Sequence, residues 1–214
     1  MQASDFTELA ERVAGWQERV PWPVERGGIA AAAITELAGG EPVDVARIAE
    51  RAGASTDDVL EFLHGSPAEF DRDARLVGFG LTLRPTPHRV EFDGRTLYTW
   101  CAPDTLELPV LLGRSVQVES RCFATGEPVR VEVGPEGVRE LEPEEAVVSM
   151  VLPEVCLSDF REKLCDEQHF FSSATAADGW QAERPAAIVV PVRSGFALTR
   201  LLTAPLFGAG AAAA

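Results

Sequence analysis

Hydrophobic residues in the first 65 positions recur at spacings of three and four, which is typical of amphipathic helices. The pattern predicts four helices, with apolar positions running through 6–20, 29–37, 45–49 and 59–63. Proline or glycine follows each of the first three, at Pro21-Trp22-Pro23, Gly39-Gly40 and Gly53. Asp44 and Ser55 precede the third and fourth helices, and both are residue types that cap helix N-termini. The first third of the chain is therefore predicted to be helical.

From Leu76 the hydrophobic period changes to two, which predicts β-strands. One alternating run extends from Leu76 to Leu83, and a second pair of strands flanks Asp93-Gly94, a hairpin-turn dipeptide. Further strands are predicted at 116–118, 129–133, 146–152 and 188–192, with short helices at 159–164 and 195–204. The acidic residues between two of these strands are interpreted as a solvated loop: Glu136, Glu140, Glu142, Glu144 and Glu145.

Helices followed by a strand-rich region predict an α+β protein. The predicted domains are a winged-helix-like helical cap at 1–73, a mainly antiparallel sheet domain with a few helices carrying the site at 74–207, and a disordered tail at 208–214. Two short helices across a glycine-containing turn are also found in DNA-binding domains. The helix that would enter DNA, Ser55 to Phe62, has three acids and no basic residue, so it would repel phosphate. The cap is therefore predicted not to bind DNA.

Net charge and composition argue against several classes of protein. The 214 residues carry a net charge of −15, which argues against a nucleic-acid or anionic-membrane partner. No basic start followed by an apolar run is present, and no stretch approaches the roughly 18 apolar residues of a membrane span. A cytoplasmic globular protein is expected.

The four cysteines are too few for a disulfide scaffold, and none belongs to a C-x-x-C pair. Cys101 lies three residues before Asp104, and Pro103 favours a bend that would bring the thiol and the carboxyl together. Cys165 stands near the end of the helix predicted at 159–164, where a thiol can face a pocket. Two thiols and one acid therefore form a candidate site.

Four segments resemble the organomercurial (alkylmercury) lyase family in order and approximate spacing: Gly78 to Arg84, Tyr98 to Leu106, Cys122 to Gly126 and Cys165 to Phe171. The resemblance spans roughly Asp71 to Phe207. It implies that Cys101 and Cys165 are the catalytic cysteines that bind mercury, and that Asp104 is the catalytic acid beside the metal. It also implies a structural role for Cys122.

Two cysteine positions depart from the family's pattern. Some members have a second cysteine directly after the position of Cys165, where this chain has Asp166. That adjacent thiol is outside the catalytic trio. Cys156 has no counterpart in the resemblance, and we interpret it as a passive thiol at a helix edge.

The chemistry of these residues suits cleavage of a carbon–mercury bond. Mercury(II) is a soft ion that prefers thiolate ligands, and two thiolates on an alkylmercury cation increase the electron density on carbon. A carboxylic acid within about 3 Å can then take a proton from a thiol and pass it to carbon. Burial beside Trp100 predicts a raised pKa for Asp104. The products would be a hydrocarbon and Hg(II), and no organic cofactor is required.

The resemblance implies an organomercurial substrate, cytosolic thiols that displace the product, and a mercuric reductase that accepts Hg(II) in mercury detoxification. Two alternatives remain open. A non-catalytic soft-metal (mercury) thiolate binding protein would use the same thiols but would need no proton donor at Asp104. A winged-helix metal sensor is disfavoured by its acidic helix.

The positions of Trp100 and the three histidines, in the core, at the site or at the surface, are predicted from their neighbours in the sequence. Trp100 is either a wall of the substrate site or a core residue, and the sequence leaves both open. His169 precedes two phenylalanines and is interpreted as a core histidine. His64 and His88 lie in stretches that are loop-like, charged or flanked by proline, and both are predicted to be exposed.

Overall fold

A computed structural model describes residues 3–17, 26–154 and 157–207 of the chain. The four expected N-terminal helices are confirmed as α1 Ala3–Gln17, α2 Gly27–Leu37, α3 Val45–Ala52 and α4 Thr56–His64. The Ser55 hydroxyl caps α4 by accepting a hydrogen bond from the Asp58 N–H at 3.1 Å. The expected stop at Pro21-Trp22-Pro23, Cys156 and the predicted tail at 208–214 lie outside the described residues.

An antiparallel sheet of eight strands follows these helices, in the order β1-β2-β3-β5-β4-β6-β7-β8. Its strands are β1 Glu69–Phe70, β2 Leu76–Phe79, β3 Leu81–Thr82, β4 His88–Phe92, β5 Arg95–Thr99, β6 Val116–Arg121, β7 Pro128–Gly134 and β8 Gly137–Glu142. A second antiparallel sheet, ordered β10-β9-β11, contains β9 Val147–Met150, β10 Phe170–Phe171 and β11 Ile188–Pro191. Helices combined with antiparallel sheets confirm the α+β class.

Four more helices lie among the strands: α5 Ala102–Leu112, α6 Phe160–Lys163, α7 Ala174–Ala182 and α8 Val192–Phe207. Helix α6 is bracketed by 3-10 turns at Leu157–Asp159 and Cys165–Glu167. The predictions at 159–164 and 195–204 are confirmed by α6 and α8, whereas α5 and α7 were not predicted. Helix α5 packs against α8 and the strands β6 and β7. It is therefore held in the centre of the molecule.

Two local predictions are wrong. The run from Leu76 to Leu83 forms two short strands, because the chain reverses at Gly80, whose φ of 67° is a left-handed conformation that glycine adopts without strain. The acidic loop is largely the strand β8, which pairs with β7 at the edge of the sheet. Its acids are exposed, and Glu142 pairs with Arg130 at 3.0 Å, so strand pairing and solvation are compatible there.

The N-terminal helices and the two sheets share one hydrophobic core. Leu37 and Leu63 from the helices, and Leu76, Leu81 and Leu106 from the later part of the chain, are all fully buried in it. The helices therefore bury their apolar faces against the strand-rich region.

Among the described residues, no helix has both the length and the apolar character that a membrane span requires.

Candidate active site

The N-terminus of α5 presents Cys101 and Asp104 on one helical turn. Cys101 is the N-cap residue, with an extended backbone, and Asp104 is the third residue of the helix. The Cys101 backbone N–H donates a hydrogen bond to Asp104 Oδ2 at 3.2 Å, as in a capping box. Pro103 in the first turn suits a helix start because proline has no N–H to leave unpaired. The start of α5 therefore positions the acid beside the thiol.

Cys165 reaches the same place from the 3-10 turn Cys165–Glu167 that follows α6. The ligand atoms of Cys101, Asp104 and Cys165 all lie within 4.8 Å of one another. The structure thus brings together the three side chains that the sequence singled out. Two thiols and one carboxyl at these distances can surround a single soft metal ion.

Gln168, which we did not predict, ties the two halves of the site together. Its carbonyl accepts a hydrogen bond from the Ala102 N–H at 3.4 Å, and its side-chain Nε2 donates to Cys101 Sγ at 3.8 Å. Its Oε1 accepts from the Val151 N–H at 3.3 Å, which holds the amide in that orientation. The turn that carries Cys165 is therefore connected directly to the start of α5.

Burial dominates the protonation of the site. It raises the pKa of the Cys101 thiol well above the ordinary value, and a hydrogen bond with Cys165 and the charge of Asp104 add to the rise. The hydrogen bond from Cys101 lowers the pKa of Cys165, but burial and the charge of Asp104 outweigh it, so this pKa is also raised. Both thiols therefore hold their protons at neutral pH.

The pKa of Asp104 is raised from 3.8 to about 6, as predicted from its apolar neighbours, and burial is the main cause. Hydrogen bonds from the Cys101 side chain and from the backbone of Cys101 and Trp100 oppose the rise, as does the charge of Arg161. A carboxyl with a pKa of about 6 can accept and release a proton near neutral pH.

Arg161 of α6 is the second residue that the sequence interpretation missed. Its guanidinium carbon lies 4.8 Å from the centre of the Trp100 ring, and it forms an ion pair with Glu69. Glu69 also accepts a hydrogen bond from the Thr82 hydroxyl at 2.7 Å, so the arginine is held on a fixed carboxylate. The available signal was its position four residues before Cys165 in the helix predicted at 159–164.

A cavity of about 90 Å³ opens beside the trio. Its walls come from α2, from the turn after α4, from β2, β3, β5 and the residues that follow β2 and β5, from α5 and α6, and from the 3-10 turn after α6. The lining residues are Ile34, Pro67, Phe79, Gly80, Leu81, Thr99, Trp100, Asp104, Glu107, Leu108, Leu111, Phe160 and Cys165. Trp100 is only 7% exposed and packs against Phe79 with ring centres 6.0 Å apart, so it is both a core residue and a cavity wall. Most of this lining is apolar, which suits an organic group.

The three histidines lie outside the trio. The prediction that His88 is exposed is wrong: alternation along β4 places it on the inner face with Val90 and Phe92, and Nδ1 lies 2.8 Å from the Ser120 hydroxyl. Burial, and to a lesser extent the charge of His169, lower the pKa of His88 to about 3. His64 is exposed, as predicted.

His169 and Cys122 are also apart from the trio. His169 is half-buried and stacks on Phe123 with ring centres 3.9 Å apart. The Cys122 thiol is buried, and its backbone N–H donates to the Glu127 carbonyl at 2.7 Å. Burial raises the pKa of this thiol, but hydrogen bonds with Thr125 and Ser172 outweigh burial, so the pKa is lowered overall.

Comparison with known proteins gives a consistent result. Residues 81–204 match the family described as MerB: Alkylmercury lyase. The alkylmercury lyase of Streptomyces lividans is 47% identical over 171 residues, which is 79% of each chain. That of Bacillus cereus is 46% identical over 167 residues, 78% of this chain and 76% of its own. The alkylmercury lyase of Pseudomonas putida is 40% identical over 199 residues, 92% of this chain and 93% of its own.

The fold is also shared with a solved structure. The crystal structure of the mercury-bound form of MerB2 superposes with a TM-score of 0.73, at 26% identity, over 94% of this chain and 99% of that one. The sequence matches confirm the family resemblance and the lyase activity that the four motifs predicted. The chain belongs to the alkylmercury lyase family.

Proposed function

We propose that this protein cleaves the carbon–mercury bond of organomercurials by protonolysis, with Cys101 and Cys165 as mercury ligands and Asp104 as the proton carrier. The observation that carries the proposal is the approach of two thiols and one carboxyl to within 4.8 Å, beside a mainly apolar cavity. The thiols supply soft ligands, the carboxyl supplies acid–base chemistry, and the cavity accommodates the organic group.

Binding begins when an organomercury cation replaces the proton of one thiol. Metal binding to a thiol releases its proton, and Asp104 in its carboxylate form is close enough to accept it. The raised pKa of about 6 makes Asp104 a competent acceptor that can return the proton. The thiol proton can therefore pass to Asp104 without going through bulk water.

Cleavage follows when the second thiol also binds mercury as a thiolate. Two thiolates increase the electron density on the carbon, and Asp104 donates its proton there. The electron pair of the carbon–mercury bond forms the new carbon–hydrogen bond, and the hydrocarbon leaves. Hg(II) stays on Cys101 and Cys165, with the Asp104 carboxylate as a weaker third ligand. Two thiol protons are lost overall: one enters the hydrocarbon and one leaves the site.

Product release, in this proposal, requires thiols from outside the protein. Both cysteines are at least 96% buried, so Hg(II) leaves by thiolate exchange through the cavity rather than by dissociation as a hydrated ion. The proposed recipient is a mercuric reductase, in a cytoplasmic detoxification sequence. No organic cofactor is needed for any of these steps.

We further propose that residues 1–73 act as a winged-helix-like cap over the cavity. Ile34 of α2, and Pro67 after α4, line the cavity, which supports this role. The exposed face of α4 carries Asp57, Asp58 and Glu61, and their charges disfavour a nucleic-acid contact.

The test is to incubate the protein with methylmercury and excess thiol and to measure methane in the headspace. We expect methane above the thiol-only control, and Hg(II) recovered as its thiol complex. Mercury bound without methane release would support the alternative of a non-catalytic thiolate binding protein.

A further inference from the structure

Glu107 lies one helical turn after Asp104 on α5 and lines the same cavity. The residue is half-buried, and its position on the cavity wall leaves it in reach of a bound molecule. Burial, and to a lesser extent the charge of Asp104, raise the pKa of Glu107 from 4.5 to about 8. The group is therefore mainly a neutral carboxylic acid at pH 7, able both to donate and to accept a hydrogen bond.

Within the part of the chain that the structure describes, no side chain or backbone group forms a hydrogen bond or ion pair with Glu107. Buried carboxyls in folded proteins are normally paired. Two nearby polar groups already have partners: the Thr99 hydroxyl donates to the Cys101 carbonyl at 3.0 Å, and Arg161 pairs with Glu69. Trp100 Nε1, on the wall of the same cavity, has no hydrogen-bond partner among the described residues. Glu107 thus offers hydrogen-bonding capacity to whatever enters the cavity.

The position of Glu107 relative to the mercury ligands decides what it can reach. An α-helix rises about 1.5 Å per residue, so Glu107 stands about 4.5 Å further along α5 than Asp104. In the proposed mechanism Asp104 reaches the carbon bound to mercury. The separation is similar to the distance across a benzene ring from that carbon to a substituent on the opposite side. The neighbouring walls Leu108, Leu111 and Phe160 are apolar, so they would contact the ring itself.

We propose that Glu107 is a specificity-determining residue that hydrogen-bonds an amino or hydroxyl substituent on the organic group of the substrate. The inference rests on the proposed function, because it assumes that mercury is held at Cys101 and Cys165. It adds a preference within the substrate class: aryl mercurials with a polar substituent remote from the metal are favoured over apolar ones of equal size.

The test compares kcat/KM for 4-aminophenylmercury and 4-methylphenylmercury, which are similar in size. Wild-type protein is expected to favour the amino compound, and Glu107→Leu is expected to reduce that ratio by about 2- to 10-fold, the scale of one neutral hydrogen bond. Glu107→Gln should retain most of the preference because its amide still donates and accepts. Leu111→Met alters the same cavity without a hydrogen-bonding group and should leave the ratio unchanged.

An unchanged ratio in Glu107→Leu would overturn the inference. Loss of turnover on both substrates by a folded Glu107→Leu variant would also overturn it, because Glu107 would then belong to the chemistry rather than to selection. If the wild type released no hydrocarbon at all, the proposed function would fail instead. The affinities of the two mercurials, measured by tryptophan fluorescence, would still decide the role of Glu107.

Discussion

The backbone N–H of Cys101 donates a hydrogen bond to the side chain of Asp104 at 3.2 Å, so one carboxyl both caps α5 and stands beside the thiols. The two roles need different properties. Capping needs only an oxygen acceptor, whereas proton transfer needs a group that can gain and lose a proton. The proposed chemistry can therefore be removed while the helix cap is kept.

Asp104→Asn is expected to abolish turnover and to keep mercury binding. The amide oxygen can still accept the Cys101 N–H, but the amide cannot carry a proton, and loss of an acid–base group typically costs about 10²- to 10⁴-fold in rate. Single-turnover methane release and mercury stoichiometry measure the two effects. Asp104→Ala, which loses the cap as well, is the control and should be less stable by about 0.5–2 kcal/mol. Turnover of Asp104→Asn close to wild type would exclude the relay.

Cys165→Ala and Cys122→Ala should separate function from stability. We expect Cys165→Ala to lose turnover by on the order of 100-fold or more, because one of the two reacting thiols is absent. Cys122 is buried away from the trio, so Cys122→Ala should mainly lower the free energy of unfolding, by about 1 kcal/mol. Methane release and urea unfolding of both variants provide the measurements. Near-normal turnover in Cys165→Ala would mean that the mercury ligands are assigned wrongly.

The pH dependence of kcat/KM should show an acidic limb near pH 6. The pKa of Asp104 is about 6, and the group must be a carboxylate to accept the first thiol proton. As pH falls through 6, the carboxylate is lost, so kcat/KM should decrease about tenfold for each further pH unit. Above pH 6 the profile should level off. A flat profile between pH 5 and 7 would contradict this assignment.

Arg161→Met is expected to move that acidic limb to higher pH. The positive charge of Arg161 lowers the pKa of Asp104, so its removal favours the protonated acid. The same change leaves Glu69 buried without its arginine and should destabilise the protein, so the profile is best measured in Arg161→Met combined with Glu69→Gln. Arg84→Met serves as the control. Arg84 Nε lies 4.0 Å from Glu69 Oε2, but Arg84 is not among the groups that shift the pKa of Asp104. If the acidic limb stays at the wild-type pH, the charge of Arg161 does not affect the pKa of Asp104.

Sequence patterns predicted the structural features whose physical cause lies in neighbouring residues. Helix caps and stops depend on neighbouring residues, so Asp44, Gly53 and Ser55 predicted the boundaries of α3 and α4. Asp104 follows Cys101 by one helical turn, and that spacing alone placed thiol and carboxyl together once the chain bent. The family motifs added Cys165, which follows Cys101 by 64 positions. A motif identifies a residue by its neighbours in the sequence, so it can indicate a site residue without any knowledge of where that residue lies in space.

Helix α5 and the interior position of His88 were missed for different reasons. Apart from Glu107, every residue from Leu106 to Leu112 is apolar, because α5 is buried among α8, β6 and β7. The segment therefore shows no amphipathic period. His88 has proline and arginine as neighbours, yet the alternation of β4 turns its side chain inward.

The sequence by itself determined the class of fold, the family and the three residues of the candidate site. Only the tertiary structure decided the protonation, the hydrogen bonding and the surroundings of the residues at this site. The raised pKa of Asp104, the unpaired carboxyl of Glu107 and the link through Gln168 all arise where α5 meets the turn after α6. The physical reason is that burial and cavity shape depend on segments far apart in the chain, whereas a sequence pattern reports only the residues within one or two turns.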